Sequence, residues 1–362
     1  MSPLVLRQRC HTVVPGHRPH SAAEDFAAMA AWCEVNGVQH DQYGEGALVN
    51  SFERKIAELL GFEAGVFMVS GTMAQTIALR LACEERGSRL AAMHPSAHIV
   101  LHERSNYQLL DHFDTLPLGR PHRAWTVDDL KAWPEKLGAA LYELPMREIG
   151  GVLPAWNDLK AIKEYCSTER IHLHLDGARL WEAATGYGRG LDEVCAGFDS
   201  AYVSFYKGIG GMGGAMLLGS ADFIARASNW AKRLGGNVWQ RSPYVVAAAR
   251  QFDERLAAMP RYVERARQVA RIVGEFPELT LNPSTPQCNL FHVHLKVSEQ
   301  TATAARDRLA QDYGVWLFGA AQPGMLAESS YFEWYVGDNL LALSDGKLRE
   351  ILMMFVAELA RG

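Results

Sequence analysis

The stretch Ile171–Ala183, I-H-L-H-L-D-G-A-R-L-W-E-A, decides how the rest of the chain is read. Its first half alternates apolar Ile171, Leu173 and Leu175 with His172 and His174, the two-residue period of a strand. Gly177 and Ala178 break that alternation, and Ala178–Ala184 reads as the opening turns of a helix. Asp176 therefore falls at the C-terminal tip of a strand, where open α/β sheets hold their ligands. A carboxylate there can pair with a cationic ring nitrogen. It can equally cap the following helix, as Asp at such junctions often does.

A second stretch bears on that choice: Ala201–Gly219, A-Y-V-S-F-Y-K-G-I-G-G-M-G-G-A-M-L-L-G. The β-rich run Tyr202–Tyr206 delivers Lys207 into a glycine-rich turn, and a second apolar run, Ala215–Leu218, follows. Interior lysines are rare unless paired or chemically employed. Burial lowers the amine pKa and so makes lysine a nucleophile toward carbonyls. Gly208, Gly210, Gly211, Gly213 and Gly214 let backbone approach a bulky group closely. A strand-end Asp followed by a strand-end Lys is the pair that pyridoxal phosphate requires, an acid for the ring nitrogen and an amine for the aldehyde.

H-L-D-G-A-R-L-W and K-G-I-G resemble the corresponding motifs of the threonine aldolases, within the β-eliminating-lyase group of fold-type I pyridoxal phosphate enzymes. Two further segments resemble the same family: Q-Y-G-E-G-A-L-V-N-S-F-E (Gln42–Glu53) and V-S-G-T-M-A (Val69–Ala74). The likeness runs in order from about Arg9 to the C-terminus and is faint after Gly236. It specifies the family more closely than the reaction.

Composition sets wider bounds. The 362 residues suffice for one large and one smaller domain, and 48% hydrophobic with 21% charged residues is ordinary for a globular protein. A net charge of −5 gives no reason to expect nucleic acid or an anionic membrane. No apolar run approaches the ~20 residues of a membrane span, and the N-terminus has too short an apolar centre for a signal peptide. The six cysteines (Cys10, Cys33, Cys83, Cys166, Cys195, Cys288) form no C-x-x-C pair. That scatter argues against zinc or a disulfide framework and fits a reducing cytoplasm. None of the 13 histidines forms a metal-ligating motif, and His172 and His174, on one strand face, read as packed rather than metal-bound.

In chain order, an extended arm leads to a helix over Ser21–Val35, and Val49–Leu60 has helical spacing stopped by Gly61. A short strand, Gly65–Val69, runs through Ser70, Gly71 and Thr72 into a helix over Met73–Glu85. Such a unit aims free N–H groups at an anion, so Gly71 and Thr72 are candidate phosphate donors. Ile99–Leu101 reads as a strand, Thr126–Leu137 as a capped helix and Ala139–Glu143 as a strand. Helices are expected over Asp222–Arg233, Pro243–Ala258 and Pro260–Gly274. Leu290–Leu295 alternates like a strand, Ala302–Tyr313 is helical, and the last helix carries a stripe of Leu348, Ile351, Leu352, Phe355, Val356 and Leu359.

The resemblance assigns further roles. His98 falls where the family stacks a histidine on the cofactor ring, and an imidazole there can also exchange a proton. Glu103 matches a family glutamate without a role derivable from sequence. Tyr43 falls where the family has a tyrosine near the cofactor. Arg179, after D-G-A, implies a contact to substrate carboxylate or cofactor. Cys10 replaces the family's N-terminal carboxylate-binding serine, and His11 its aspartate. The loop Glu143–Pro154 carries Met146, Arg147 and Glu148 and lacks the family's second active-site histidine. Asn339 is the best placement for the family's C-terminal carboxylate-binding arginine, with Arg147 as a substitute cation. Lys232, Arg233 and Arg241 lie near a family loop that reaches a neighbouring subunit's phosphate.

The expected fold is α/β. A large, mostly parallel sheet domain with helices on both faces (residues 41–245) follows an N-terminal arm and helix (1–40) and precedes a smaller C-terminal α/β domain (246–362). The resemblance implies a fold-type I pyridoxal phosphate enzyme, a homodimer or homotetramer, acting on a small-molecule amino-acid substrate. It would be a lyase cleaving the Cα–Cβ bond of a β-hydroxy-α-amino acid, with Lys207, Asp176 and His98 as the catalytic set. β-Elimination, racemisation or transamination on the same scaffold, or cofactor binding without turnover, are the alternatives.

Overall fold

The computed structural model describes residues 2–361. The chain forms two compact units. The larger comprises His20–Glu148 and Leu153–Ala257. The smaller gathers the residues up to Pro19, Ile149–Val152, and the chain from Ala258 onward.

The larger unit is built on a seven-stranded sheet. Its spatial order is Ala64–Met68, Ala215–Gly219, Ser200–Ser204, His172–Gly177, Ala139–Glu143, Leu90–Met93 and Asp114–Pro117. Ala215–Gly219 runs antiparallel to both neighbours, and every other pairing is parallel. The four strands Ala139–Glu143, His172–Gly177, Ser200–Ser204 and Ala215–Gly219 are buried at every position. Continuous burial is what a sheet covered by crossover helices produces. The helices Gly71–Arg86 and Ala221–Arg233 insert Ala74, Ile77, Ala78, Leu81, Phe223, Ile224 and Ala227 into one core with Val66, Met68, Tyr202 and Leu217. The architecture is thus α/β, with a large mixed, mostly parallel sheet and flanking helices. Because the central strands are parallel, their C-terminal ends lie together, and the register sets Glu143 beside Asp176 and Asp176 beside Tyr202.

The smaller unit has a four-stranded antiparallel sheet in the order Ala321–Pro323, Ser330–Tyr335, Leu290–Leu295, Leu279–Asn282. Helices Glu299–Tyr313 and Asp345–Leu359 cover it through Leu309, Leu348, Ile351, Leu352 and Phe355, packed with Phe291, Val293, Phe332 and Trp334. Thr12–Val13 pairs in parallel with Val315–Trp316, so the N-terminal segment returns to this unit.

Several sequence expectations need correction. The segment at Ile99–Leu101 is a short helix, His98–Leu101, and the strand lies upstream at Leu90–Met93. Leu-Ala-Ala-Met consists of good helix formers, and tertiary burial overrides that preference. The helix expected over Thr126–Leu137 stops at Lys131. Pro134 pushes the residue before it out of helical conformation. Pro260 breaks nothing: a single 32-residue helix, Ser242–Val273, runs through it. Buried Met259, Tyr262 and Val263 keep the apolar face continuous there. The N-terminal arm contains a helix, Pro3–Arg9, whose cap is Ser2 accepting from the Val5 N–H at 3.4 Å.

Candidate active site

Asp176 is 1% exposed, in the last turn of pleat of its strand. Its Oδ1 accepts the Ala178 N–H at 3.1 Å. The helix behind it starts only at Leu180, and Arg179 occupies the cap position without a side-chain cap bond. Asp176 is therefore no helix cap. On the same strand face, His172 Nε2 and His174 Nδ1 both lie against Ser200 Oγ, at 2.7 and 2.8 Å. Burial lowers both imidazoles, His174 to about 3 with His172 adding to the effect. They are neutral packing groups under the carboxylate. Among the described residues no group of three His, Cys, Asp or Glu could hold a metal ion.

Glu143 is the other buried carboxyl at this end of the sheet. One oxygen accepts the Arg147 N–H at 3.1 Å. Burial, and then the neighbouring charge of Asp176, pushes its carboxyl up to about 7.

Lys207 follows the strand Ser200–Ser204. Among the described residues its Nζ has no hydrogen-bond or ion-pair partner, and it lies 5.8 Å from the centre of the Tyr206 ring. Burial first, and then the Arg179 guanidinium, lower its amine, while Asp176 and Glu143 oppose them. A half-buried amine without a partner, softened toward its free base, is a nucleophile in waiting. Gly208 leaves room for a buried side chain: a Cβ there would sit 2.2 Å from Glu182 Oε1, which would have to move.

Groups able to donate to an anion lie on the neighbouring strand and helix. The helix Gly71–Arg86 is capped by Ser70, whose Oγ accepts from Met73 N at 3.3 Å. That leaves the Gly71 and Thr72 N–H groups without partners among the described residues, at the positive end of the helix dipole. A Cβ on Gly71 would meet Tyr202 Oη at 2.2 Å, so only glycine lets helix and tyrosine approach. Tyr202 Oη lies 3.3 Å from Tyr206 Oη, and Ser204 Oγ is buried with no partner of good geometry. Sequence reading missed Ser204. The signal was there: Tyr202, Ser204 and Tyr206 alternate, placing hydroxyls on one strand face ahead of Lys207.

His98 opens the short helix His98–Leu101, and its Nδ1 lies 3.2 Å from Glu103 Oε1. Glu103 is buried and also faces Asn106 Nδ2 at 3.5 Å, which is held by Thr76 Oγ1 at 3.0 Å. Its role, absent from the sequence reading, is to orient the His98 ring. Tyr43 is half-exposed with φ of 54°, its N–H donating to Trp239 O at 2.8 Å and its ring centre 4.9 Å from that of Trp239. Arg179 Nε is buried and unpartnered.

The remaining candidates are placed less centrally. Arg147 Nη1 lies 2.9 Å from Glu148 Oε1. Arg241 is buried: its N–H donates to Asp41 Oδ1 at 2.8 Å and its Nη1 to Phe67 O at 3.1 Å, so it braces its own subunit rather than reaching outward. Lys232 and Arg233 are exposed, with the Arg233 guanidinium 4.7 Å from the Trp230 ring centre. Cys10 and Asn339 belong to the smaller unit. The Cys10 thiol donates to Leu6 O at 3.4 Å. Asn339 Nδ2 donates to Pro15 O and His17 O, each at 3.2 Å.

A parallel sheet that gathers a buried carboxylate, an unpartnered lysine and a helix N-terminus at one edge defines the fold-type I class. The profile of the β-eliminating lyase family matches residues 22–296, and the chain belongs to that family. It is 29% identical over 277 residues to the low-specificity L-threonine aldolase of Escherichia coli (strain K12), covering 74% of this chain and 80% of the relative. The match reaches 59% of the length of an uncharacterized Caenorhabditis elegans protein. It reaches 63% of a Candida albicans low-specificity L-threonine aldolase. Two solved structures superpose almost throughout. One, from Listeria monocytogenes EGD-E and provisionally designated an L-allo-threonine aldolase, has a TM-score of 0.92 at 36% identity, with 98% of each chain covered. The other, from Exiguobacterium sp. 255-15 and provisionally designated an aromatic amino acid β-eliminating lyase/threonine aldolase, has a TM-score of 0.91 at 35% identity and 99% coverage of each. Among the described residues no helix is long and apolar enough to cross a membrane.

Proposed function

We propose that the protein is a pyridoxal phosphate-dependent lyase that cleaves the Cα–Cβ bond of a β-hydroxy-α-amino acid to glycine and an aldehyde. One observation carries the reading: Lys207 Nζ stands unpartnered at the strand ends, between the charge of Arg179 and the carboxyls of Asp176 and Glu143. The orphaned Ser204 Oγ and the free N–H groups at Gly71 and Thr72 are the donors that a phosphate-bearing cofactor would satisfy, and the orphaned Arg179 Nε is left for a substrate carboxylate.

Bound pyridoxal phosphate supplies an electron-poor ring that takes up the electron pair released when the Cα–Cβ bond breaks. Lys207 would provide the amine for the cofactor's aldehyde. Asp176, its carboxylate oriented by the Ala178 N–H, would hold a positive ring nitrogen in place. Gly71, Thr72 and Ser204 would hold the phosphate. His98, braced by Glu103, packs on the ring and takes the proton of the β-hydroxyl, directly or through a water. Arg179 pairs with the substrate carboxylate, for which a planar delocalised cation is suited. Tyr43 and Arg147 would line the substrate side of the same unit.

The working form is a cytoplasmic homodimer or homotetramer. The helix Ala22–Asn36 supports this, since it buries no residue of its own and leaves Phe26 60% and Val35 85% exposed. The test is direct. Borohydride reduction of the purified protein should attach the cofactor to the Lys207 peptide, and a β-hydroxy amino acid panel should yield glycine and aldehyde. Label on another lysine overturns the reading. Pyruvate with ammonia, or a D-amino acid, would move the reaction to elimination or racemisation.

A further inference from the structure

His102 lies four residues after His98, and its N–H donates to His98 O at 2.8 Å, closing the short helix. Four-residue spacing sets the two side chains on one helical face. Their ring centres are 5.0 Å apart at an interplanar angle of 45°. Each ring has its own carboxylate on one nitrogen: Glu103 for His98, and Glu148 for His102, whose Nε2 lies 2.9 Å from Glu148 Oε1. The Glu148 oxygen that meets His102 also receives Arg147 Nη1 at 2.9 Å. Arg147 in turn stands close enough to Lys207 for its charge to bear on the amine. So the loop after the strand Ala139–Glu143 carries an ion pair that ties an imidazole from a different segment to the Lys207 side of the sheet.

The His102 side chain is 42% exposed, whereas Glu148 is 18% exposed and Arg147 33%. A solvent-reaching imidazole with a fixed, partly buried carboxylate on one nitrogen keeps the other nitrogen free to exchange a proton. A surface pair with only a structural role would gain little from being fixed this way.

We infer that His102, oriented by Glu148, is a second proton-transfer residue of the site, acting beside His98 on the substrate's hydroxyl or on the water that serves it. Glu148 is a positioning residue, and Arg147 fixes Glu148. The charged and titratable groups in direct contact are His98, Glu148 and, through Glu148, Arg147. The inference rests on the aldol-cleavage reading proposed above.

The experiment uses the holoenzyme with a β-hydroxy amino acid that the wild type cleaves. His102→Gln keeps a donor for Glu148 but cannot accept and return a proton. It should lower kcat by on the order of 100-fold, leave KM within about twofold, and leave the visible cofactor absorbance unchanged. Glu148→Ala removes the carboxylate that orients His102, and should lower kcat while KM stays within about twofold and the visible cofactor absorbance is unchanged. Wild-type kcat in His102→Gln overturns the inference, as does parallel loss of kcat and cofactor. Wild-type kcat in Glu148→Ala overturns it too. If the wild type itself releases no glycine from any substrate of the panel, the aldol reading falls and takes the inference with it. If the wild type cleaves and His102→Gln cleaves as fast, only the inference falls.

Discussion

Glu143 and Asp176 face each other in register at the C-terminal ends of neighbouring parallel strands, both buried and both carboxyls. Two like charges in one low-dielectric site cannot ionise independently. Here Asp176 has a backbone donor at 3.1 Å from Ala178, and Glu143 one at 3.1 Å from Arg147. Glu143 is the member whose proton is retained, up to about 7.

Glu143 therefore makes stability depend on pH in a defined window. Between 4.5, its ordinary value, and about 7, the unfolded chain has lost the proton that the folded chain still holds. Stability falls as pH rises through that window, by on the order of 2–3 kcal/mol from this group. Glu143→Gln still accepts from the Arg147 N–H and has no charge to gain. Its unfolding free energy relative to wild type should rise from pH 5 to pH 8 in urea titrations. An equal difference at both pH values would mean that Glu143 is already ionised.

Asp176→Asn preserves shape and the bond from Ala178 N, because a carboxamide oxygen accepts as well. Only the charge toward the cofactor's ring nitrogen is lost. Turnover should fall by on the order of 100- to 1,000-fold while the melting temperature stays close to wild type. A fully active Asp176→Asn protein would show that the carboxylate has a merely local role in the turn.

His98→Phe separates stacking from proton transfer. The phenyl ring keeps a flat face but leaves Glu103, 6% exposed, without the imidazole that pairs with it. A stability loss of about 1–3 kcal/mol is expected from that orphaned carboxyl, and a rate loss of roughly 100- to 10,000-fold if His98 moves a proton. Retained cofactor with an unchanged rate would confine His98 to packing.

The strand-end placements of Asp176 and Lys207 and the strand-to-helix turn at Gly71 were legible in the sequence because each sits where a strong local pattern ends: an alternating strand, a glycine run, a strand running into a helix. Partners supplied from afar were not legible. Glu103 and His98 lie close in sequence, yet only the fold shows the bond. His102 meets Glu148 across 46 residues of chain, a pairing no periodicity encodes. The strand Leu90–Met93 was hidden by its helix-forming residues. Pro260 signalled a break that the buried face of a long helix overrides.

How the substrate carboxylate is gripped sets how firmly the site holds any amino acid. The resemblance implies an arginine near the C-terminus, and the best placement there is Asn339. Its amide is spent on the Pro15 and His17 carbonyls, and its N–H donates to Gly16 O at 3.2 Å. Asn339→Ala should thus cost about 1–3 kcal/mol of stability without moving KM. Arg147 is the cation of the altered loop, and Arg147→Ala distinguishes its two possible duties. If the guanidinium grips the substrate carboxylate, KM should rise roughly tenfold or more, the cost of a lost charge-assisted hydrogen bond. If it only fixes Glu148, kcat should fall with KM unchanged. A chain with Cys10 and Asn339 where the resemblance implies a serine and an arginine should handle L-threonine poorly, and should favour a bulkier or differently substituted β-hydroxy amino acid. Steady-state kinetics across L-threonine, L-allo-threonine and β-phenylserine would decide this. Efficient L-threonine cleavage that is indifferent to Arg147→Ala would place the carboxylate-binding cation elsewhere.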